Sequence, residues 1–299
     1  MKRIVLFGLG VALIGVGIVG LFLPVLQGWA MIFMGLALVS PRLARKLRGR
    51  LFRKLFKKDI VTISDWKKSG VSAGFTTRHF PLVLKKTDDL LNAENQGKFG
   101  ALLPYKKFAV LNQVHGDHVA VLDQPERYAK DGFYHFPECD AAITNISGMT
   151  LLALTADCLS IFLSAGDWVG IAHAGWRGSQ KGIAGKTLEL ICERSGVSPG
   201  EVRIAFGPRI GPKNYEVGVE FQQYFPTHVG ARLIAPVRHV KGKWYFDLAK
   251  ENERQLLEAG ALSRNILDPG ICTFEEKEDF YSFRREKELA GRLVSFISR

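Results

Sequence analysis

From Asp59 onward, short runs rich in β-branched and aromatic residues recur at close spacing, at residues 60–63, 108–111, 119–122, 141–144, 150–154, 160–163, 168–172 and 202–206. Most are flanked by Gly, Asp, Asn or Ser, the pattern of buried strands between turns. Apolar residues at helical spacing instead mark 181–195, 216–225, 248–259 and 286–297. Asp247 and Gly260 bracket the third of these as cap and terminator, and Gly196 ends the first. Cys192 shares an apolar stripe with Ile183, Leu188 and Ile191, which predicts a core position. The mixture predicts a layered α/β domain.

The first 58 residues read differently. Residues 4–39 contain no Asp, Glu, Lys or Arg, and residues 4–23 alone supply the roughly 20 apolar residues that cross a bilayer. Pro24, Gln27, Gly28 and Trp29 interrupt the run, which predicts a transmembrane helical hairpin with a shorter second pass. Both flanks are basic, so both ends face the cytoplasm. A cleaved signal peptide fits less well, because the apolar stretch is long and a basic block follows it. Leu43, Leu47, Leu51 and Leu55 then recur among nine Lys and Arg, predicting a basic amphipathic helix lying on anionic lipid, or else a solvated linker helix. The predicted organisation is a hairpin over 1–40, a juxtamembrane helix over 41–58 and a catalytic domain over 59–299, held at the inner (cytoplasmic) membrane and facing the cytoplasm.

Net charge is +12, but residues 1–58 hold eleven basic residues and no acid, so the remaining 30 Lys and Arg balance 29 Asp and Glu. A neutral catalytic domain argues against nucleic acid as a partner and leaves membrane lipid as the partner of the basic segment. The four cysteines, Cys139, Cys158, Cys192 and Cys272, are widely spaced, which suits a reducing compartment. There is no Walker sequence, no Gly-X-Gly-X-X-Gly outside the apolar run, and no internal repeat. The sequence specifies no oligomeric state.

Candidate chemistry gathers at strand ends. His173 lies in Ala172-His173-Ala174-Gly175-Trp176-Arg177-Gly178 after an apolar run, His115 in Asn112-Gln113-Val114-His115-Gly116, and Cys158 in Thr155-Ala156-Asp157-Cys158. Taken singly, each has an ordinary reading as a turn residue, a buried thiol or a core histidine. Together they offer three donors for one metal ion with a fourth position for water, the composition of a catalytic zinc site.

Six motifs in order carry a family resemblance: Asn112 to Gly116 with Val119; Asp140-Ala141-Ala142-Ile143-Thr144; Thr155 to Leu159; Ala172 to Gly178; Gly207-Pro208-X-Ile210-Gly211-Pro212-X-X-Tyr215-Glu216-Val217-Gly218; and Phe280-Tyr281-Ser282-Phe283-Arg284-Arg285 leading to Gly291-Arg292. Over about residues 70–299 the chain resembles the laccase-domain family, also called multicopper polyphenol oxidoreductase or purine nucleoside phosphorylase, which includes the peptidoglycan editing factor. The resemblance implies a layered α/β/β/α sandwich and zinc ligands at His115, Cys158 and His173, with copper as an alternative ion. The family's Gly-Gly-Val-Ser turn is replaced by His79-Phe80-Pro81-Leu82. Ser160 stands in place of a frequent proline, and Lys213 and Asn214 stand where relatives often carry cysteine. Residues 24–29 are similar to the turn of a small two-pass family that reads Pro-Gly-Pro-Gly-Trp, with two positions changed.

The resemblance implies a zinc enzyme acting on purine nucleosides and phosphate, which the apolar N-terminal segment would anchor to the membrane. Its expected reactions are phosphorolysis of adenosine, inosine and methylthioadenosine, and deamination of adenosine. Arg284 is then the phosphate or leaving-group contact, with Arg78 and Arg177 as further substrate contacts, and Asp157 is a base or, preferably, an orienting residue. Other readings are an amidase that removes misincorporated serine from the cell-wall precursor UDP-muramoyl-serine, a copper-dependent polyphenol oxidase, and a tethered binding module without catalysis. Against a multicopper cluster, the chain has seven histidines and no His-X-His pair.

Overall fold

The computed structural model describes residues 59–299, apart from 64, 65, 67, 68, 103, 104, 106, 129, 137 and 226–236. The predicted hairpin and juxtamembrane helix therefore lie outside the described residues. Among the described residues, no helix is long and apolar enough to cross a membrane.

Strands numbered in chain order form two six-stranded sheets and one small one. The first sheet runs β1(Ile60–Thr62), β2(Ser72–Thr76), β15(Leu293–Ser298), β7(Met149–Thr155), β3(Lys107–Leu111), β5(Gly132–Phe136). The second runs β14(Ile266–Leu267), β10(Arg203–Phe206), β8(Leu159–Ala165), β9(Trp168–Ala174), β6(Ala141–Thr144), β4(Val119–Leu122). A third joins β11(Glu216–Val217), β13(Lys243–Phe246) and β12(Val237–Val240). The helices are α1(Ala93–Leu102), α2(Trp176–Gln180), α3(Ile183–Ser195), α4(Phe221–Tyr224), α5(Leu248–Glu258) and α6(Phe283–Glu286).

Alternation along the central strands builds an α/β/β/α sandwich. Ala109 and Leu111 of β3 and Leu151 and Ala153 of β7 pack inward against Phe162 of β8 and Val169 and Ile171 of β9, filling the space between the sheets. Their neighbours Phe108, Val110, Leu152 and Leu154 point to the other side, toward Phe99 of α1 and Phe80. On the far face of the second sheet, Leu159, Ile161 and Ala172 meet Ile183, Leu188 and Ile191 of α3 and Leu256 of α5. Every residue of β7, β8 and β9 is buried, so these strands read in sequence as continuous apolar runs.

Two expected helices are corrected. Residues 286–297 form a single tight turn, Lys287–Leu289, followed by strand β15, which sits between β2 and β7 with both faces buried. Residues 216–225 divide into the two-residue strand β11 and the one-turn helix α4. Helix α3 ends as expected, with Gly196 in the left-handed region at φ 71°. Cys192 lies beside the core and is only half-buried. All four cysteines are free.

Helix α5 begins where the sequence indicates, with the Asp247 carboxylate accepting the Lys250 amide at 3.1 Å. Replacing Asp247 with alanine orphans that amide and is expected to lower stability by about 1 kcal/mol. Equilibrium denaturation reads this loss, and an unchanged midpoint contradicts it.

Candidate metal centre and its cavity

The sandwich brings three chain segments together at one end of the inter-sheet layer. Alternation places His173 on the inner face of β9, like Val169 and Ile171, and β8 pairs Ser160 directly with His173. Two residues before Ser160, Cys158 falls on the same face in the β7–β8 turn. The loop after β3 delivers His115. The donor atoms of His115, Cys158 and His173 all lie within 4.8 Å of one another, and this is the one such group of three among the described residues. The imidazoles meet edge to face, with centroids 5.0 Å apart at 78°. Exposure grades from His115, the outermost, through Cys158 to the buried His173.

Two glycines permit this approach. A side chain at Gly175 would place its Cβ 3.1 Å from both Cys158 Sγ and His115 Cδ2, and one at Gly178 would meet the Gly116 carbonyl at 2.8 Å. The Ala-Gly-Trp-Arg-Gly sequence is thus a condition for the cluster.

Asp140, fully buried at the head of β6, organises the donors. His173 Nδ1 donates to its Oδ1 at 2.7 Å, which directs Nε2 to the cluster. The same carboxylate accepts the amides of Val114 at 3.1 Å, His115 at 3.0 Å and Gly116 at 2.6 Å. Burial opposes its charge, but the His173 imidazole and these amides hold its pKa below the usual carboxylate range. Sequence reasoning placed Asp140 in a motif without giving it this role. The available signal was an acid inside the otherwise apolar run from Cys139 to Ile143.

Burial also pushes the Cys158 thiol up, yet the charge of His173 and hydrogen bonds from both imidazoles outweigh it and bring the thiol down to about 6. For His173, burial lowers the pKa while the Cys158 thiolate and Asp140 raise it to about 9. Each partner thus favours the charged form of the other, the thiolate of Cys158 and the imidazolium of His173.

Asp157 takes the φ 90° conformation and His115 φ 59°, both in the left-handed region where non-glycine residues are strained. The Asp157 carboxylate accepts Thr273 Oγ1 at 2.6 Å, Ser282 Oγ at 3.1 Å and the Arg284 amide at 2.6 Å. With three donors engaged, it orients the turn and the start of α6. The cluster opens into a cavity of about 680 Å³ whose wall includes Arg177 and Arg284. Arg284 donates to the Glu216 carbonyl at 2.8 Å and covers the Tyr215 ring, while Arg177 lies 4.3 Å above Trp176. Arg78 is placed elsewhere: it pairs with Glu286 at 3.3 Å and covers Tyr281, and it is not among the cavity residues.

The sequence departures fall mostly outside the cavity. Phe80 is buried against Phe99, and His79 pairs with Asp279 at 3.3 Å, so this turn packs the outer layer. Residues Lys85 to Asp88, just beyond it, line the wall instead. Asn214 bonds Glu275 and Cys272 away from the cavity.

A family model described as multi-copper polyphenol oxidoreductase laccase matches residues 63–299. The chain belongs to that family. A relative named purine nucleoside phosphorylase YlmD, from Geobacillus stearothermophilus, is 32% identical over 250 residues, covering 77% of this chain and 91% of that protein. A purine nucleoside phosphorylase of Deinococcus radiodurans is 36% identical over 209 residues, 69% of this chain and 76% of its own length. The crystal structure of the Geobacillus YlmD superimposes with a TM-score of 0.70 at 28% identity, over 82% of this chain and 97% of that one.

The donor set of this family member fits a metal ion such as zinc or copper. It comprises one soft thiolate that is ionised near neutrality and two imidazoles, one with its tautomer fixed by a carboxylate. Between about pH 6 and 9 the Cys158–His173 pair holds one proton that must leave before His173 Nε2 can ligate. Loading is therefore expected to release about one proton, with affinity rising roughly tenfold per pH unit through that window and levelling above it. Calorimetry in buffers of differing ionisation enthalpy measures the release, and a value of zero refutes the ion pair. Asp140→Asn removes an acceptor from both histidine-bearing segments and is expected to weaken metal binding about 10–100-fold in chelator competition. An unaltered affinity would show that the carboxylate does not orient the ligands.

Proposed function

We propose that the chain is a metal-dependent purine nucleoside phosphorylase whose catalytic domain spans residues 59–299. The observation that carries this reading is the opening of the His115–Cys158–His173 cluster into one cavity with Arg177 and Arg284 in its wall. Its volume lies within the range of about 300–1,000 Å³ common for small-molecule sites. The names of the relatives point the same way.

A bound zinc ion would supply a Lewis acid and an activated water at the open coordination position. The protein residues do the rest. Arg284, anchored by one N–H to the Glu216 carbonyl, keeps further donors for a phosphate oxygen. Arg177, fixed on the Trp176 face, adds a second cation to the same wall. Lys85, Lys86, Lys287 and Arg292 also line the cavity, against only Asp88 and Asp157, so the field favours an anionic co-substrate. Asp157 holds Arg284 and Cys158 in register through its hydrogen bonds to the α6 start and its place in the turn. Deamination of adenosine is a second reaction open to this centre, since a metal held by His115, Cys158 and His173 would supply an activated water for it.

Residues 4–39 support anchoring of this enzyme to the cytoplasmic membrane, with the catalytic domain facing the cytoplasm, through their lack of charge and the basic segment that follows.

Incubating the purified chain, residues 1–299, with inosine or adenosine and phosphate is expected to yield the free base and ribose 1-phosphate, with strict dependence on phosphate. Cys158→Ala should abolish turnover while the fold persists. Formation of no free base or sugar phosphate from either nucleoside, and of no inosine from adenosine, by the metal-reconstituted protein would remove the nucleoside reading, and release of serine from UDP-muramoyl-serine would replace it with the amidase.

A further inference from the structure

Three aromatic residues other than histidine line the cavity, Trp176, Tyr215 and Phe283. Two of them have their ring surfaces claimed. Trp176 carries the Arg177 guanidinium at 4.3 Å and stacks on Tyr224 at 5.8 Å and 22°. Tyr215 is covered by Arg284 at 5.2 Å and packed by Phe246 at 5.7 Å and Phe221 at 6.4 Å. Phe283 differs, because it leaves 40% of its surface exposed and, among the described residues, no aromatic ring stacks on it, its one cation contact being the Arg292 guanidinium 5.9 Å from the centroid.

The backbone beneath Phe283 is nonetheless held on both sides. Ser282 Oγ donates to Asp157 at 3.1 Å, and the Arg284 amide donates to the same carboxylate oxygen at 2.6 Å. Ser282 also caps the short helix by accepting the Arg285 amide. An aromatic ring exposed in a cavity wall while its neighbours on either side are fixed is a prepared contact surface for a flat apolar partner. Asp157 immediately precedes Cys158, so the one carboxylate that holds this ring also belongs to the turn that carries the thiolate.

We propose that Phe283 is the stacking platform for the heteroaromatic base of the substrate and thereby a determinant of substrate affinity. This assignment rests on the nucleoside reading above. The base lies against Phe283, and the arginine-bearing part of the wall takes the anionic co-substrate.

The test is steady-state phosphorolysis of inosine by wild type, Phe283→Ala, Phe283→Leu and Phe283→Tyr, with bound metal measured on each preparation. Loss of one base–aromatic stack is expected to raise KM by about tenfold or more in Phe283→Ala, with kcat changing much less and metal content unchanged. Phe283→Tyr should keep the wild-type KM, while Phe283→Leu, which fills similar volume without a π face, should not. A wild-type KM in Phe283→Ala, or full rescue by leucine, overturns the stacking role and leaves the nucleoside reading intact. A wild-type enzyme that turns over no nucleoside removes both.

Discussion

The buried carboxylate of Asp140 is the interaction on which the site depends. A carboxylate without exposure is tolerated only when donors surround it, and here four do: the amides of Val114, His115 and Gly116 and the Nδ1 of His173. These donors come from the loop after β3 and from β9, which belong to different sheets. The ion pair thus does two things at once. It orients the imidazole of one candidate metal donor and closes the loop that carries another, so one side chain ties His173 to the His115 segment.

A second carboxylate repeats the device on the substrate side. Asp157 accepts donors from Thr273, Ser282 and Arg284, tying two distant loops to the turn that ends at Cys158. Residues in the left-handed region accompany both hubs, His115 at one and Asp157 itself at the other. Strain of about 1–3 kcal/mol persists at such residues only when surrounding bonds over-determine the backbone. Charge-assisted hydrogen bonds to backbone amides do that here, and the glycines at 175 and 178 remove the side chains that would hold the segments apart. The sheets, the turns and the two carboxylates together fix the relative placement of the donors.

The donors were legible because they stand where apolar runs stop. His115, Cys158 and His173 each mark a strand–turn junction, and buried strands display chemistry only at their ends. Most central strands were legible for the same reason. Strand β15 was not: Leu289, Ala290, Leu293, Val294 and Ile297 satisfy helical spacing, and only burial on both faces between β2 and β7 decides for a strand. The reading of 216–225 failed because two short elements flanking Gly218 imitate one period. Asp140 left a fainter mark, a single acid in an apolar run, whose partners are 24 to 33 residues away and invisible to local pattern. Arg78 shows the same difficulty, since its partner Glu286 lies 208 residues on and local pattern does not reveal the pair.

The family's description speaks of several coppers, but the donors among the described residues form one cluster that fits one ion. Among the described residues only His115, Cys158 and His173 converge, and Asp140 takes one ring nitrogen of His173, which leaves that residue a single nitrogen for an ion. A thiolate with two imidazoles is also a good copper site, and copper(II) exceeds zinc in intrinsic affinity for such donors. Oxidation of phenols by copper-loaded protein would then follow from the donor set of a mononuclear centre, without the clustered histidines that a multicopper oxidase needs. The cation-lined wall is what a small phenol does not require and an anionic co-substrate does, and for that reason the cavity, more than the ion, argues for transfer to phosphate.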